Sequence, residues 1–175
     1  MLNELSDYFF SNKIYEKLHI DKEGSLEEDD KFSFDTPRVV SPNFCSSMIY
    51  FEPFIFDWCQ QVASITNAIG TALAVYYPPG GYLGWHTNDD CVAHNLILTY
   101  SASDKSYFES RQKRIYDTKG WSIKINEFNR DSSWHRAIAI DHRITFAFIY
   151  DTKEKRDIAV KKFNFTDVQN WKSNI

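Results

Sequence analysis

The stretch WHRAIAIDHRITFAFIY (134–150) decides the fold. Two strand-like runs flank Asp141-His142, which reads as a tight hairpin turn. Side chains alternate faces along a strand. The second run sends Ile144, Phe146, Phe148 and Tyr150 one way, a bulky apolar face suited to a core. It sends Arg143, Thr145, Ala147 and Ile149 the other way, and His135, Ala137 and Ala139 form the matching set in the first run. This second face reads as the wall of a polar pocket. Alanines leave room, Arg143 offers a planar fork suited to a carboxylate, and Thr145 adds a hydroxyl. Along such a hairpin His135 and Arg143 stand about five residues apart, roughly 16 Å at ~3.3 Å per residue. Two inward-reaching side chains could then hold a metal-bound small dicarboxylate between them. The plain alternative is an edge arginine in water and a histidine bonded to a backbone carbonyl.

Working outward, short strand candidates fall at 71–77, 82–86, 95–101, 106–110, 112–117, 121–126, 135–140, 143–150 and 157–163. Ahead of them, Phe54, Trp58, Val62, Ile65 and Ile69 make a helical stripe, with Pro53 suited to the helix start and Gly70 to its C-cap. Residues 2–20 read as a helix or helix-turn, and the acidic stretch 21–35 as a surface loop. The expected architecture is mainly β: a double-stranded β-helix (jelly roll) with N-terminal helices packed on one sheet. The chain of 175 residues suits a single domain, with helical or irregular cover over 1–70 and the jelly-roll core over 71–165.

Composition agrees with this and narrows the function. Apolar residues make up 43% and aromatic residues 17%, enough for a packed, strand-rich core. A net charge of −4 argues against a broad phosphate-binding surface, so a nucleic-acid partner is not expected. No apolar run approaches the ~18 residues of a membrane span. The start, MLNELSDYFF, lacks the marks of a signal peptide. Cys45, Cys59 and Cys91 are odd in number and form no CxxC pair, so reduced thiols and a cytoplasmic setting are expected.

The second informative stretch is YYPPGGYLGWHTNDD (76–90). Pro78-Pro79-Gly80-Gly81 reads as a turn with positive φ at a glycine. His86 and Asn88 share a side if the chain is extended there. A divalent iron site needs imidazole nitrogen, an oxygen ligand and open positions. His86, an oxygen at position 88 and the distant His135 supply that set. Trp85 and Trp134, each just before a candidate ligand, read as core aromatics. His94 reads as a surface or hydrogen-bonded residue, and His19 and His142 as helix-end and turn residues. Lys153–Arg156 with Lys161 and Lys162 reads as a solvated strand edge.

Taken in order, the pieces YxPGGxxxWHxN, NLILTYS, SYF, KGWSIKI, WHRAI and RIT resemble the iron(II)/2-oxoglutarate-dependent oxygenases, in particular the prolyl-hydroxylase-like and DNA-dealkylating branches. The resemblance covers about residues 71–150. It implies that His86 and His135 bind Fe(II), that Arg143 and Thr145 hold the distal carboxylate of 2-oxoglutarate, and that Tyr77, nine residues before His86, lies near this cosubstrate. Gly120 and Trp121 match the turn and strand leading toward the second histidine, and Asn95 matches a polar pocket position. The implied reaction is hydroxylation of a C–H bond of a small molecule or peptide side chain, with 2-oxoglutarate decarboxylated to succinate. The pattern departs from His-x-Asp at Asn88. Three readings stay open: Asn88 is the third ligand, Asp90 or Asp89 replaces it, or iron is lost and the chain is a catalytically silent jelly roll for binding or assembly. Nucleic-acid dealkylation is a lesser alternative, which the acidic charge disfavours.

Overall fold

The computed structural model describes residues 1–35, 40–47, 49–87, 93–111, 113–128, 134–163 and 168–170. The elements run α1 (Leu2–Ser11), β1 (Asp21–Glu23), α2 (Leu26–Asp30), β2 (Asn43–Cys45), α3 (Pro53–Thr66), β3 (Gly70–Tyr77), β4 (Tyr82–His86), β5 (Ala93–Ser101) and β6 (Tyr107–Ser110). They continue with β7 (Arg114–Tyr116), β8 (Gly120–Phe128), β9 (His135–Ile138), β10 (Arg143–Tyr150), α4 (Lys153–Lys162) and β11 (Val168–Asn170). One sheet has the order β11-β8-β5-β10-β3 and the other β1-β2-β4-β9-β6-β7. From β3 to β10 the chain passes back and forth between the two sheets, and it wraps a shared interior. All pairs among these strands are antiparallel. This is the winding of a jelly roll, as expected from the sequence.

The helices follow from the alternation along β10. Ile144, Phe146, Phe148 and Tyr150 are all fully buried on the outer face of the five-stranded sheet. There they join Leu96, Leu98 and Ile123 of that sheet, Leu5 and Phe9 of α1, Ile55, Trp58 and Val62 of α3, and Ala159 of α4 in the main core. A second, smaller cluster lies inside the barrel, including Val75, Tyr77, Phe108, Ile115, Ala137 and Ala139.

Several expectations are corrected. β9 and β10 do not form a hairpin: they belong to opposite sheets. The turn at Asp141-His142, where the His142 amide donates to the Asp141 carboxylate, carries the chain across the barrel. His135 and Arg143 therefore face each other across the interior rather than along one ladder. The expected strand at 157–163 lies in α4, which Thr152 caps by accepting from the Lys155 amide. Ion pairs Lys153–Asp157 and Lys155–Asp151 at i,i+4 spacing support it, so the basic cluster sits on a helix rather than a strand edge. The acidic stretch 21–35 carries β1 and α2, and Asp29 within it is fully buried. With β1 and β2, the segment 1–70 adds two strands to the sheet as well as helical cover. In α3 the buried stripe is Ile55, Trp58, Cys59, Val62 and Thr66, while Ile65 and Ile69 are 51% and 66% exposed. Asn67 in the left-handed conformation, φ 57°, ends that helix before Gly70.

Cys45 and Cys59 are buried free thiols, and burial pushes both up to about 12. Cys91 lies outside the described residues. Among the described residues no helix is long and apolar enough to cross a membrane.

Candidate active site

The turn that opens the site behaves as expected. Gly80 has φ +76°, and the Gly81 amide donates to the Pro78 carbonyl at 2.7 Å. Beyond it, β4 pairs with β9 through Leu83 opposite Ala137 and His86 opposite His135. Three steps on β4 thus match two on β9, so β4 carries one extra residue at Gly84-Trp85. A bulge of this kind re-aims the side chains that follow it. Leu83 points inward, strict alternation would send Trp85 inward too, and the bulge instead brings in His86. Trp85 goes outside, where Arg136 lies 4.8 Å over its ring and Phe34 packs against it.

The bulge is held from outside by α2. Asp29 accepts the Trp85 amide with Oδ1 at 2.9 Å, and its Oδ2 pairs with Arg136 Nη1 at 3.1 Å. Arg136, on the outer face of β9, also pairs with Asp30 and Glu109. A carboxylate buried this deeply is cut off from water and needs such partners in its place. Gly84 is required by the same contact: a Cβ there would stand 2.5 Å from Asp29 Oδ1 and 2.9 Å from the Pro42 carbonyl oxygen.

Inside, the rings of His86 and His135 lie 4.1 Å apart between centroids. His86 Nδ1 is 2.8 Å from the Gly84 carbonyl oxygen, which can only accept. The proton is therefore on Nδ1, and Nε2 keeps its lone pair. Burial lowers the His86 pKa and so favours this neutral ring. His135 is 3% exposed and stacks on Phe108 at 5.2 Å.

Across the barrel, Arg143 pairs in register with Tyr77 on β3 and Ser101 on β5. Its guanidinium lies 5.0 Å over the Tyr77 ring, its Nη1 donates to Thr145 Oγ1 at 2.7 Å, and its Nε donates to Asp117 Oδ2 at 2.8 Å. Lys124 Nζ lies 2.6 Å from the other oxygen of Asp117. Burial works against the Arg143 charge, but Asp117 and Tyr77 overcome it and hold the pKa above the ordinary value. Burial likewise opposes the Asp117 charge, and Arg143 and Lys124 prevail to keep its pKa below the usual carboxylate value. Burial raises the Tyr77 phenol, more than Arg143 lowers it, and leaves it a neutral donor.

His86, His135, Arg143, Thr145, Tyr77 and Asn95 all line one cavity of about 310 Å³. The remaining wall is mostly apolar and includes Leu83, Ile97, Phe108, Ala137 and Ala147. Asn95 is 2% exposed and sits on β5 opposite Ile149, six residues from the Ser101 that pairs with Arg143. His94 is opposite in parity to Asn95 and is not part of the cavity wall. Trp85 is buried and Trp134 packs at a tilt against Phe32 at 4.8 Å, so both tryptophans pack outside. Gly120 opens β8 with φ +89°, and Trp121 packs toward the main core. Asn88, Asp89 and Asp90 lie outside the described residues. Among the described residues no group of three metal-ligating side chains comes together.

Asp117 and Lys124, which back Arg143 from outside the cavity wall, are the residues that sequence reading missed. A signal was present: in Trp121-Ser122-Ile123-Lys124-Ile125 the polar positions alternate with the apolar ones, and the polar set faces inward.

No protein-family model and no curated protein matches the sequence. Among solved structures, a Pseudomonas putida prolyl-4-hydroxylase is similar at 10% identity and TM-score 0.37, over 87% of this chain and 100% of that one. A Trichoplax adhaerens prolyl hydroxylase, in complex with a peptide fragment of the hypoxia inducible factor oxygen degradation domain, is similar at 10% identity and TM-score 0.37, over 83% and 76%. A predicted oxalate decarboxylase from Thermotoga maritima is similar at 11% identity and TM-score 0.34, over 64% and 91%. The jelly-roll assignment rests on this chain's own strand order.

Proposed function

We propose that the chain is an Fe(II)/2-oxoglutarate-dependent oxygenase that hydroxylates a C–H bond of a small molecule or peptide side chain. One observation carries this reading. Two imidazoles on paired strands, 4.1 Å apart between ring centroids, share a cavity with a buried guanidinium from the opposite sheet. The residues fit the group. His86 presents Nε2 because its Nδ1–H donates to the Gly84 carbonyl, and His135 stands beside it; an oxygen ligand from positions 88–90 would complete the set. Bound iron would supply oxygen activation coupled to decarboxylation of the oxo acid.

The protein's own residues bind and shield. Arg143 is a fixed cation, with Nε on Asp117 and Nη1 on Thr145, so little ordering is needed when a carboxylate arrives. Tyr77 adds a neutral phenol beside it. The apolar wall of Leu83, Ile97 and Phe108 excludes water between this end and the histidines. That strengthens the electrostatic contacts inside.

The test is anaerobic thermal unfolding with Mn(II), with and without 2-oxoglutarate. A ligand at a hundred times its Kd adds about 2.7 kcal/mol of stability. Stabilisation by metal is expected in the native chain and lost in His86→Ala and His135→Ala. The further stabilisation by 2-oxoglutarate is expected to vanish in Arg143→Ala. A native chain that responds to neither Mn(II) nor 2-oxoglutarate would make it a silent jelly roll used for binding.

A further inference from the structure

We infer that Asn95 reads the substrate to be hydroxylated, and that this substrate presents a neutral amide to it, as an N-acylated or peptide-linked amino acid does. The inference rests on the proposed function and adds the substrate class. The cavity has two polar ends. At one, Arg143 pairs in register with Tyr77 and Ser101, and Thr145 pairs with Thr99. Asn95 stands four residues from Thr99 along β5, about 13 Å at ~3.3 Å per residue. 2-Oxoglutarate has four carbon–carbon bonds of about 1.5 Å, so its chain spans at most about 6 Å. Held by Arg143 and turned toward the histidines of the opposite sheet, it stops short of Asn95.

The Asn95 end is also the open end. Ala147 of β10 faces Leu73 of β3 and Phe148 faces Thr71, so Ala72 is an extra residue on β3. Ala72 and Leu73 both line the cavity, and Ala72 is exposed. Ile149, next along β10, pairs with Gly70 on one side and Asn95 on the other. A ligand that enters beside Ala72 therefore arrives at the level of Asn95. Asn95 itself is 2% exposed, and among the described residues its carboxamide has no hydrogen-bond partner. Two N–H donors and an oxygen acceptor are left to the cavity. A buried polar group without a partner is costly, and a ligand that supplies one removes the cost. The wall around it is apolar, formed by Ala72, Leu73, Ile97 and Ala147. Among the described wall residues none is a carboxylate or an ammonium, and Arg143 is at the far end. A charged ligand group beside Asn95 would lose its water and find no side-chain counter-ion. A neutral amide instead matches the carboxamide, donor to acceptor and acceptor to donor.

The experiment loads the protein with Mn(II) and 2-oxoglutarate without oxygen. It then offers a pool of the N-acetyl amides of alanine, valine, leucine, isoleucine and proline, with the five free amino acids as the charged control. Saturation-transfer NMR reads which compounds bind, and calorimetry reads the affinities of the best amide and of 2-oxoglutarate. At least one amide should bind, tenfold or more tighter than its free amino acid. In Asn95→Leu, close to asparagine in size, amide affinity should fall at least tenfold while 2-oxoglutarate affinity stays within about threefold. The melting temperature of the unliganded variant should hold or rise, because an unpartnered polar group has been removed. If Asn95→Leu does not fold, Asn95→Ala is read for the same two affinities. Unchanged amide affinity in the variants overturns the inference. So does a tenfold loss of 2-oxoglutarate affinity, which would give Asn95 to the cosubstrate. A melting temperature lowered in both variants overturns it too, since Asn95 would then be holding the fold. A native protein that takes Mn(II) and 2-oxoglutarate but none of the amides overturns the substrate class. One that takes neither Mn(II) nor 2-oxoglutarate overturns the proposed function itself.

Discussion

Gly84 has no room for a side chain, and that constraint reaches His86. The Asp29 carboxylate lies where a Cβ would project, and the carbonyl of Gly84 fixes the His86 tautomer. Gly84→Ala is expected to destabilise the fold by about 1–3 kcal/mol, the usual cost of overpacking a filled site. Urea unfolding measures the loss. Because the same residue sets the bulge, Mn(II) stabilisation should weaken in the folded fraction as well. The bulge is also where sequence reading fell short. His135, Arg143 and Thr145 were legible, since two-residue alternation along β9 and β10 fixes their side. For His86 the extended-chain reading gave only a side shared with Asn88, and strict alternation from Leu83 points it outward. The glycine in the strand was the sequence mark of a bulge. The side it turns the histidine toward depends on Asp29, 57 residues earlier in the chain, which local pattern cannot supply.

At the scale of elements, α3 separates a stripe read from periodicity from the stripe that packs. Ile55 is fully buried against the sheet and Ile65 is 51% exposed. Ile55→Ala is expected to cost about 2–5 kcal/mol, and Ile65→Ala less than about 0.5 kcal/mol, by denaturant titration. The sequence phase was off because the helix is rotated by its docking on β10, where Trp58 meets Phe146 at 4.9 Å. For α2 the start was readable: Ser25 and Glu28 form a reciprocal capping box. Its short length and run of acids read instead as a loop. Ser25→Ala should cost about 1 kcal/mol and should loosen the Asp29 contact to Trp85, seen as faster hydrogen exchange at the Trp85 amide. In α4 the alternation of Ile158 and Val160 imitates a strand. Thr152 and the i,i+4 ion pairs were the competing helix marks, and they decide the outcome.

At the scale of the whole molecule, the strands between 70 and 150 were legible in number and order, and with them the winding of the barrel. The sheet change between β9 and β10 was not, because a tight turn and a crossover share the same residue types. The buried trio of Arg143, Asp117 and Lys124 ties β10, the end of β7 and β8 together, and it makes stability depend on pH. Asp117 has a folded pKa below its ordinary value, with burial opposing the shift and Arg143 and Lys124 causing it. Its contribution is complete above the unfolded carboxylate pKa of about 3.9 and is lost as pH falls through the lower folded value. Thermal unfolding across the acid range should therefore show a fall in stability below about pH 4 that is shallower in Asp117→Asn.

The molecule keeps two apolar clusters apart, a large one beneath the helices and a small one within the barrel. Residues that hold the protein together and residues that greet a visitor are thus mostly different residues, on opposite sides of the same strands. Inward positions such as Ala137, Ala147 and Ile97 can be exchanged one at a time while Phe146 and Phe148 go on anchoring the helices. A lineage built this way can drift in what it accepts long before it forgets how to fold.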